Sequence, residues 1–154
     1  MTRVSDLSEE AERALLLTGW TPGRCVDTSA WRARLEDSGF VMHEAAESFL
    51  SEFGGLSFEY SGYGISRARE AFEFDPLLAL GEDDRFSEWG ELAGVTLFPI
   101  GELDQGRYFL GLDEAGTIYL VADWLAQFGV GLNGMESLIL GVAPEVLYDC
   151  YPQP

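Results

Sequence analysis

The sequence predicts an α+β fold, with helices packed around a mostly antiparallel sheet. Three observations lead to this prediction. Apolar residues recur at helical spacing through the N-terminal third, apolar–polar alternation begins at Leu56, and three strand-like runs separated by turn residues follow from Val95. Because the helical segments are segregated from strands that short turns connect, we expect neighbouring strands to be antiparallel.

The first two helices are predicted from their ends. Asp6 and Glu9 have the spacing of a capping box, and Gly19 ends the apolar pattern that follows. A shorter helix is expected from near Thr28 to Gly39. The inner faces are predicted to carry Leu7, Ala11, Ala14, Leu15 and Thr18 in the first helix, and Trp31 and Leu35 in the second.

The stretch "GWTPGR", Gly19 to Arg24, is predicted to be a structural corner and not a binding loop. Gly19 suits the position that follows a helix, and Pro22-Gly23 suits a type II turn. Trp20 offers a large apolar surface that can pack on neighbouring elements. Arg24, in a strongly acidic chain, is expected to pair with a carboxylate inside the molecule.

The third helix has the most regular pattern, and the first strand follows it. The helix is predicted to end at Gly54-Gly55 and to bury Met42, Ala45, Ala46, Phe49, Leu50 and Phe53. The stretch "LSFEY" then alternates as a half-buried strand does, with Leu56, Phe58 and Tyr60 on one face.

A second strand and two short helical segments are predicted in the middle of the chain. The strand is "EAFEF", which ends at Asp75-Pro76, and "PLLALG" forms at most one helical turn between a proline and a glycine. A short helix is then expected, with an inner face formed by Phe86, Trp89 and Leu92.

The last third predicts a meander followed by a helix. The strand-like runs are "VTLFPI", "RYFLGL" and "TIYLV", and the turns between them are "GELDQG" and "DEAG". The final helix is predicted from Asn133 to Leu140, with Asn133 and Glu136 at capping spacing and Gly141 after its end.

Length and charge restrict the class of protein. The chain has 154 residues, so we expect one domain over residues 1–154. It has 27 acidic and nine basic residues and a net charge of −18, which disfavours direct binding to nucleic acid or to a membrane. The charge fits either attraction to a basic partner or general solubility. No signal or membrane segment is recognised, so a cytoplasmic location is expected.

Catalytic and metal-binding patterns are not found. His43 is the one histidine, and we expect it on the polar, exposed side of the third helix without a partner for metal binding or nucleophilic catalysis. Cys25 and Cys150 lack a CxxC spacing and are expected to be reduced and partly buried. The chain is therefore predicted to be neither an enzyme nor a cofactor-binding protein.

Binding residues are instead predicted in loops, where recognition residues concentrate. The first candidates are the carboxylates of three neighbouring residues, Glu82, Asp83 and Asp84. Two more lie in a predicted turn, Glu102 and Asp104. Tyr63, in the loop "SGYG", is a candidate aromatic anchor.

Several segments in order resemble the third group of the SUKH superfamily, a group of immunity proteins. They are "GWTPGR", "HEAAESFLSEFGGL", "FEFDP", "LFPIGELDQG", "YFLGLDEAGTIYLV" and "GMESLILG", and together they cover about Ala14 to Leu140. The resemblance implies an α+β fold with helices around a mixed sheet. It also implies an antitoxin of a bacterial polymorphic-toxin system that binds and blocks a cognate toxin domain, often a nuclease or a nucleic-acid deaminase. It supplies no catalytic residue. The alternative is a regulatory or scaffolding module without a toxin partner.

Overall fold

The structure, a computed structural model, describes residues 7–60 and 62–150. Its α-helices are α1 Glu9–Leu17, α2 Ser29–Asp37, α3 Glu44–Phe53, α4 Asp83–Ala93 and α5 Leu132–Leu140. Its strands are β1 Ser57–Phe58, β2 Phe72–Glu73, β3 Phe98–Leu103, β4 Tyr108–Leu112, β5 Thr117–Val121, β6 Leu125–Val130 and β7 Glu145–Tyr148. A 3₁₀ turn, Pro76–Ala79, precedes α4, as the sequence predicts.

The described strands form one seven-stranded sheet in which spatial order follows sequence order. Every neighbouring pair is antiparallel. The predicted α+β class is therefore confirmed, whereas the expected mixed sheet is wrong for the described part of the chain. The reason is that each strand returns beside its predecessor in the opposite direction, even where α4 or α5 lies between them.

Helices cover both faces of the sheet. On one face, a Cβ atom added to Gly111 of β4 would lie 3.1 Å from the ring of Phe86, so α4 packs directly on the strand. On the other face, Gly134 of α5 packs closely on Gly129 of β6. All five residues of β5 are buried because this strand lies between the two layers. Phe98 and most other large apolar side chains of the described residues belong to one buried hydrophobic core.

Strands β6 and β7 are not among the predicted elements. In β6, the apolar pattern is interrupted by Gly129, which has a φ of 133°. The three first residues of β7 are exposed, so this strand lacks the alternation of buried and exposed positions that identifies a half-buried strand.

The predicted inner face of the α4 helix is correct at two of three positions. Phe86 and Trp89 are buried, but Leu92 is 38% exposed. Leu92 is displaced by about 120° around the helix axis from Phe86, since each residue turns the helix by about 100°. Gly90 takes the third inner position, where the backbone of Val95 lies too close for a larger side chain.

The predicted helix caps are wrong at α1 and α5. Ser8 caps α1 by accepting a hydrogen bond from the Ala11 amide, 3.2 Å away, and Asp6 lies outside the described residues. Gly131 is the N-terminal cap of α5, while Asn133 lies within the helix. Glu136 accepts a hydrogen bond from the Ser8 amide at 2.7 Å, so it joins α1 to α5.

The corner "GWTPGR" has the predicted geometry. Gly19 and Gly23 have φ values of 99° and 84°, and the Arg24 amide donates to the Thr21 carbonyl at 3.1 Å, as in a type II turn. Trp20 is 2% exposed. The corner is therefore a packed structural feature.

The predicted carboxylate partner of Arg24 is wrong. Its guanidinium donates to the carbonyls of Glu52 and Gly54, each at 2.7 Å. These carbonyls lie at the C-terminal end of α3, where helix carbonyls lack intrahelical partners and the helix dipole is negative. Arg24 therefore satisfies a helix end that the sequence pattern does not reveal.

Candidate functional site

The first three strands form a groove of about 460 Å³ on one face of the sheet. Glu102 of β3 lies opposite Phe109 of β4, and the Phe109 ring contacts Phe86 of α4 with centroids 6.2 Å apart. Because directly paired residues point to the same face, the groove lies on the side of the sheet that α4 covers further along. Its lining consists of Ser57, Phe58, Glu59, Tyr60, Ala71, Phe72, Glu73, Glu102 and Gln105.

Two carboxylates oppose each other in this groove. Glu73 of β2 and Glu102 of β3 are direct cross-strand partners. Burial raises the pKa of the Glu102 carboxyl, and the charges of Glu73 and Asp75 raise it further. Like charges directly opposite in a sheet destabilise it. The folded protein therefore holds this negative charge in place against a free-energy penalty.

A second pair of acidic side chains lies beside the groove. Burial raises the pKa of Glu70, and a hydrogen bond with Asp104 and the charge of Asp104 add to the shift. The Asp104 amide donates to the Ala71 carbonyl at 2.7 Å, and its carboxylate pairs with Arg107 at 3.4 Å. Asp104 thus lies in the β3–β4 turn, as predicted.

The structure brings Glu102 and Asp104 to the same end of the sheet, but it corrects one of the two placements. Glu102 is a strand residue of β3 and not a turn residue. The reason is that the ladder between β3 and β4 continues through Glu102 and Leu103 before the chain turns. Glu73 is a groove residue that is not among the predicted candidates, because only the register of β2 and β3 places it opposite Glu102.

Tyr63 lies in the connection from β1 to β2 and is 99% exposed. Ile65 in the same connection is 69% exposed and is not among the predicted candidates. The connection is held on the end of α5, because the Ile65 amide donates to the Leu140 carbonyl at 3.0 Å. Arg67 donates to the carbonyls of Val142 and Leu138, at 3.1 and 3.3 Å. The two exposed apolar side chains therefore project from an anchored loop.

The predicted acidic loop at Glu82, Asp83 and Asp84 is instead the start of a helix. Asp83 and Asp84 form the first turn of α4, where carboxylates are favoured by the helix dipole. Arg85 pairs with Glu82 at 3.2 Å and with Asp123 at 3.7 Å. This group therefore has a structural role of its own, and the groove lining does not include it.

His43 is a structural residue, and its predicted exposure on the polar side of α3 is wrong. Its Nδ1 accepts a hydrogen bond from the Ala46 amide at 3.1 Å, which makes it the N-terminal cap of α3. Its Nε2 lies 3.0 Å from the Leu112 carbonyl, which a protonated Nε2 can donate to. The two bonds together require the neutral ring protonated at Nε2, and they join α3 to β4.

Other polar groups also have structural explanations. Asp113 is 3% exposed and accepts hydrogen bonds from the Thr117 amide at 3.0 Å and the Tyr119 hydroxyl at 2.8 Å, which closes the β4–β5 turn. Burial and this bond raise the pKa of Tyr119. Cys25 and Cys150 are free and exposed, so their predicted partial burial is wrong. Within residues 7–60 and 62–150, no group of His, Cys, Asp or Glu side chains is arranged to hold a metal ion.

The helices and the comparisons with known proteins bear on the class of protein. No helix in the described part of the chain combines the length and apolar character that a membrane crossing needs. A family model described as SUKH-3 immunity protein matches residues 7–141, a range that includes α1 to α5 and β1 to β6. Among curated proteins and solved structures, none matches the chain.

Proposed function

Because the chain belongs to the SUKH-3 immunity protein family, we propose that it neutralises a cognate toxin domain by binding it directly. The observation that carries this proposal is the family match over residues 7–141. The protein acts in the cytoplasm of a bacterium that carries a polymorphic-toxin system. It needs no catalytic group or cofactor, since blocking the toxin's working surface is sufficient.

The net charge supports a toxin that acts on nucleic acid, such as a nuclease or a nucleic-acid deaminase. These enzymes present basic surfaces to a phosphate backbone, and a domain with a charge of −18 is a suitable competitor for such a surface. Five arginines are already paired with carboxylates of this chain: Arg32, Arg67, Arg69, Arg85 and Arg107. Electrostatic steering raises association rates by about 10–10³-fold, which suits rapid capture of a lethal enzyme.

The groove and the anchored loop are the best candidates for the contact surface. Glu102 and Asp104 supply negative charge, and Tyr63 supplies an aromatic anchor on the β1–β2 connection. Aromatic anchors dominate binding energy, while peripheral charges mainly set the association rate. Glu82, Asp83 and Asp84 contribute to the field of the same sheet face, because they begin the helix that covers it.

The test is protection of a growing cell. The toxin domain encoded beside this chain is expressed in a sensitive bacterium with the intact chain, with the Tyr63→Ala variant or with the Val130→Ala variant as an exposed apolar control. The intact chain and the control are expected to restore growth, and Tyr63→Ala to restore it less. A regulatory or scaffolding module without a toxin partner would give no protection in any arm, and that result would reject the proposal.

A further inference from the structure

Strand β1 is an open edge of the sheet. It is the first strand in the spatial order, so no described strand lies on its outer side. The Phe74 amide donates to the Leu56 carbonyl at 2.9 Å, which directs this carbonyl toward β2. Because these directions alternate along a strand, the N–H and C=O groups of Ser57 point away from β2, and continuing the alternation past the end of β1 gives Glu59 the same direction. They can pair with a further strand.

Two hollows of different chemistry flank this edge, and both are lined by Ser57 to Tyr60. One is the groove described above, with the carboxylates of Glu59, Glu73 and Glu102. The other, of about 300 Å³, lies between β1 and α1 and is closed by Ala14, Leu17 and Thr18. Leu17 is 82% exposed there. Glu59 lines both hollows, but the groove adds the carboxylates of Glu73 and Glu102, whereas the hollow against α1 adds the apolar side chains of Ala14 and Leu17.

We propose that an extended segment of the toxin binds along β1 as an additional strand, with basic and apolar residues alternating in its sequence. Successive side chains of a strand point to opposite faces. One row therefore lies over the carboxylates of the groove, and the other enters the hollow against α1. Backbone pairing with Ser57 and Glu59 fixes the register of the segment.

The charge of the groove favours this occupant over another copy of the chain. Glu73 and Glu102 are direct cross-strand partners, and the pKa of Glu102 is raised by burial and by the neighbouring charges of Glu73 and Asp75. A cation above this pair relieves their repulsion, and an acidic segment increases it. A second chain with a charge of −18 is a poor ligand for this edge. This inference rests on the proposed function only in taking the basic segment to belong to a toxin.

The test uses defined peptides with the intact protein, so it does not depend on a toxin. The first probe is a capped hexapeptide of alternating arginine and valine. The second replaces arginine with glutamate, and the third keeps the first sequence but methylates all the backbone amides, which removes the hydrogen bonds to β1 for either strand direction. Binding is followed by two-dimensional NMR, which resolves the amides of Ser57 and Glu59 and their hydrogen exchange.

The arginine peptide is expected to shift and protect the amides of Ser57 and Glu59, and the other two peptides to leave them unchanged. The double variant Glu73→Gln/Glu102→Gln is expected to weaken its binding about fivefold, from two partly exposed ion pairs of about 0.5 kcal/mol each. The control Glu88→Gln/Glu91→Gln removes the same charge from exposed positions of α4 and is expected to have little effect.

Three results would overturn the proposal. They are no binding of the arginine peptide at millimolar concentration, equal binding of the methylated peptide, and protection of β7 amides in place of those of β1. None of them affects the cell-protection experiment, which tests toxin neutralisation alone. If the chain neutralises the toxin but the toxin does not slow hydrogen exchange at the Ser57 and Glu59 amides, the proposed function stands and the proposed docking edge is wrong.

Discussion

Replacement of Glu102 by glutamine is expected to stabilise the protein. Glu102 lies directly opposite Glu73, and such pairs have Cβ atoms about 4.5–5.5 Å apart. Like charges in this position are destabilising, and cross-strand pair energies are on the order of 0.2–1 kcal/mol. Glutamine keeps the shape of the side chain but removes the repulsion and the penalty of a partly buried charge. We expect a gain of about 0.5–1 kcal/mol in the free energy of unfolding. For a domain of this size that raises Tm by about 1–4 °C.

The measurement is urea and thermal unfolding of the intact chain, of Glu102→Gln and of Glu88→Gln at low ionic strength. Glu88 is an exposed control in α4, and its neutralisation removes the same formal charge. An equal gain in the control would assign the effect to net charge and not to the groove. A loss of stability in Glu102→Gln would refute the account of the cross-strand pair.

The pH dependence of this effect has a definite sign. Glu102 and Glu70 have pKa values above the ordinary 4.5, so the folded state penalises their ionised forms. The penalty is present above the folded-state pKa and disappears below the unfolded value. The contribution of these groups to stability therefore rises as the pH falls from 7 towards 4.5. The rise is expected to be smaller in Glu102→Gln, which lacks one of the two groups.

Three further predictions concern the corner, the partner kinetics and metals. Trp20→Ala is expected to lower the free energy of unfolding by about 3–5 kcal/mol in urea titrations, because it empties a buried aromatic site; an unchanged Tm with lost partner binding would make the corner a binding site. In stopped-flow measurements, Asp83→Asn/Asp84→Asn is expected to slow toxin association and flatten its salt dependence, whereas Tyr63→Ala is expected to speed dissociation. The reverse assignment would contradict the division between steering charges and anchor. Chelation by EDTA is expected to leave Tm and toxin protection unchanged, and a loss of either that one added metal restores would contradict a metal-free function.

The fold could be predicted where the signal is local. Helical periodicity identifies α1 to α5, and alternation identifies β1 through burial of Leu56 and Phe58 beside exposed Ser57 and Glu59. The last two strands could not be found in this way. Gly129 interrupts the pattern of β6, and β7 is exposed over most of its length.

The candidate site depends on long-range information. The opposition of Glu73 and Glu102 is set by the register of β2 and β3, which are separated by α4 in the sequence. The partners of Arg24 are carbonyls that become available only because α3 ends beside the corner. His43 likewise acquires its second hydrogen bond from β4, so its role could not be read from the pattern of α3. Residue type alone identified the acidic character of the protein but not the surface that carries it.

The most direct test of toxin neutralisation is to titrate the purified chain into the toxin domain that is encoded beside it while the activity of the toxin is measured. At toxin concentrations well above the dissociation constant, activity is expected to fall linearly and to disappear near equal molar amounts. The complex should elute as one species in size-exclusion chromatography. Full toxin activity in the presence of a molar excess of the folded chain would contradict neutralisation by direct binding.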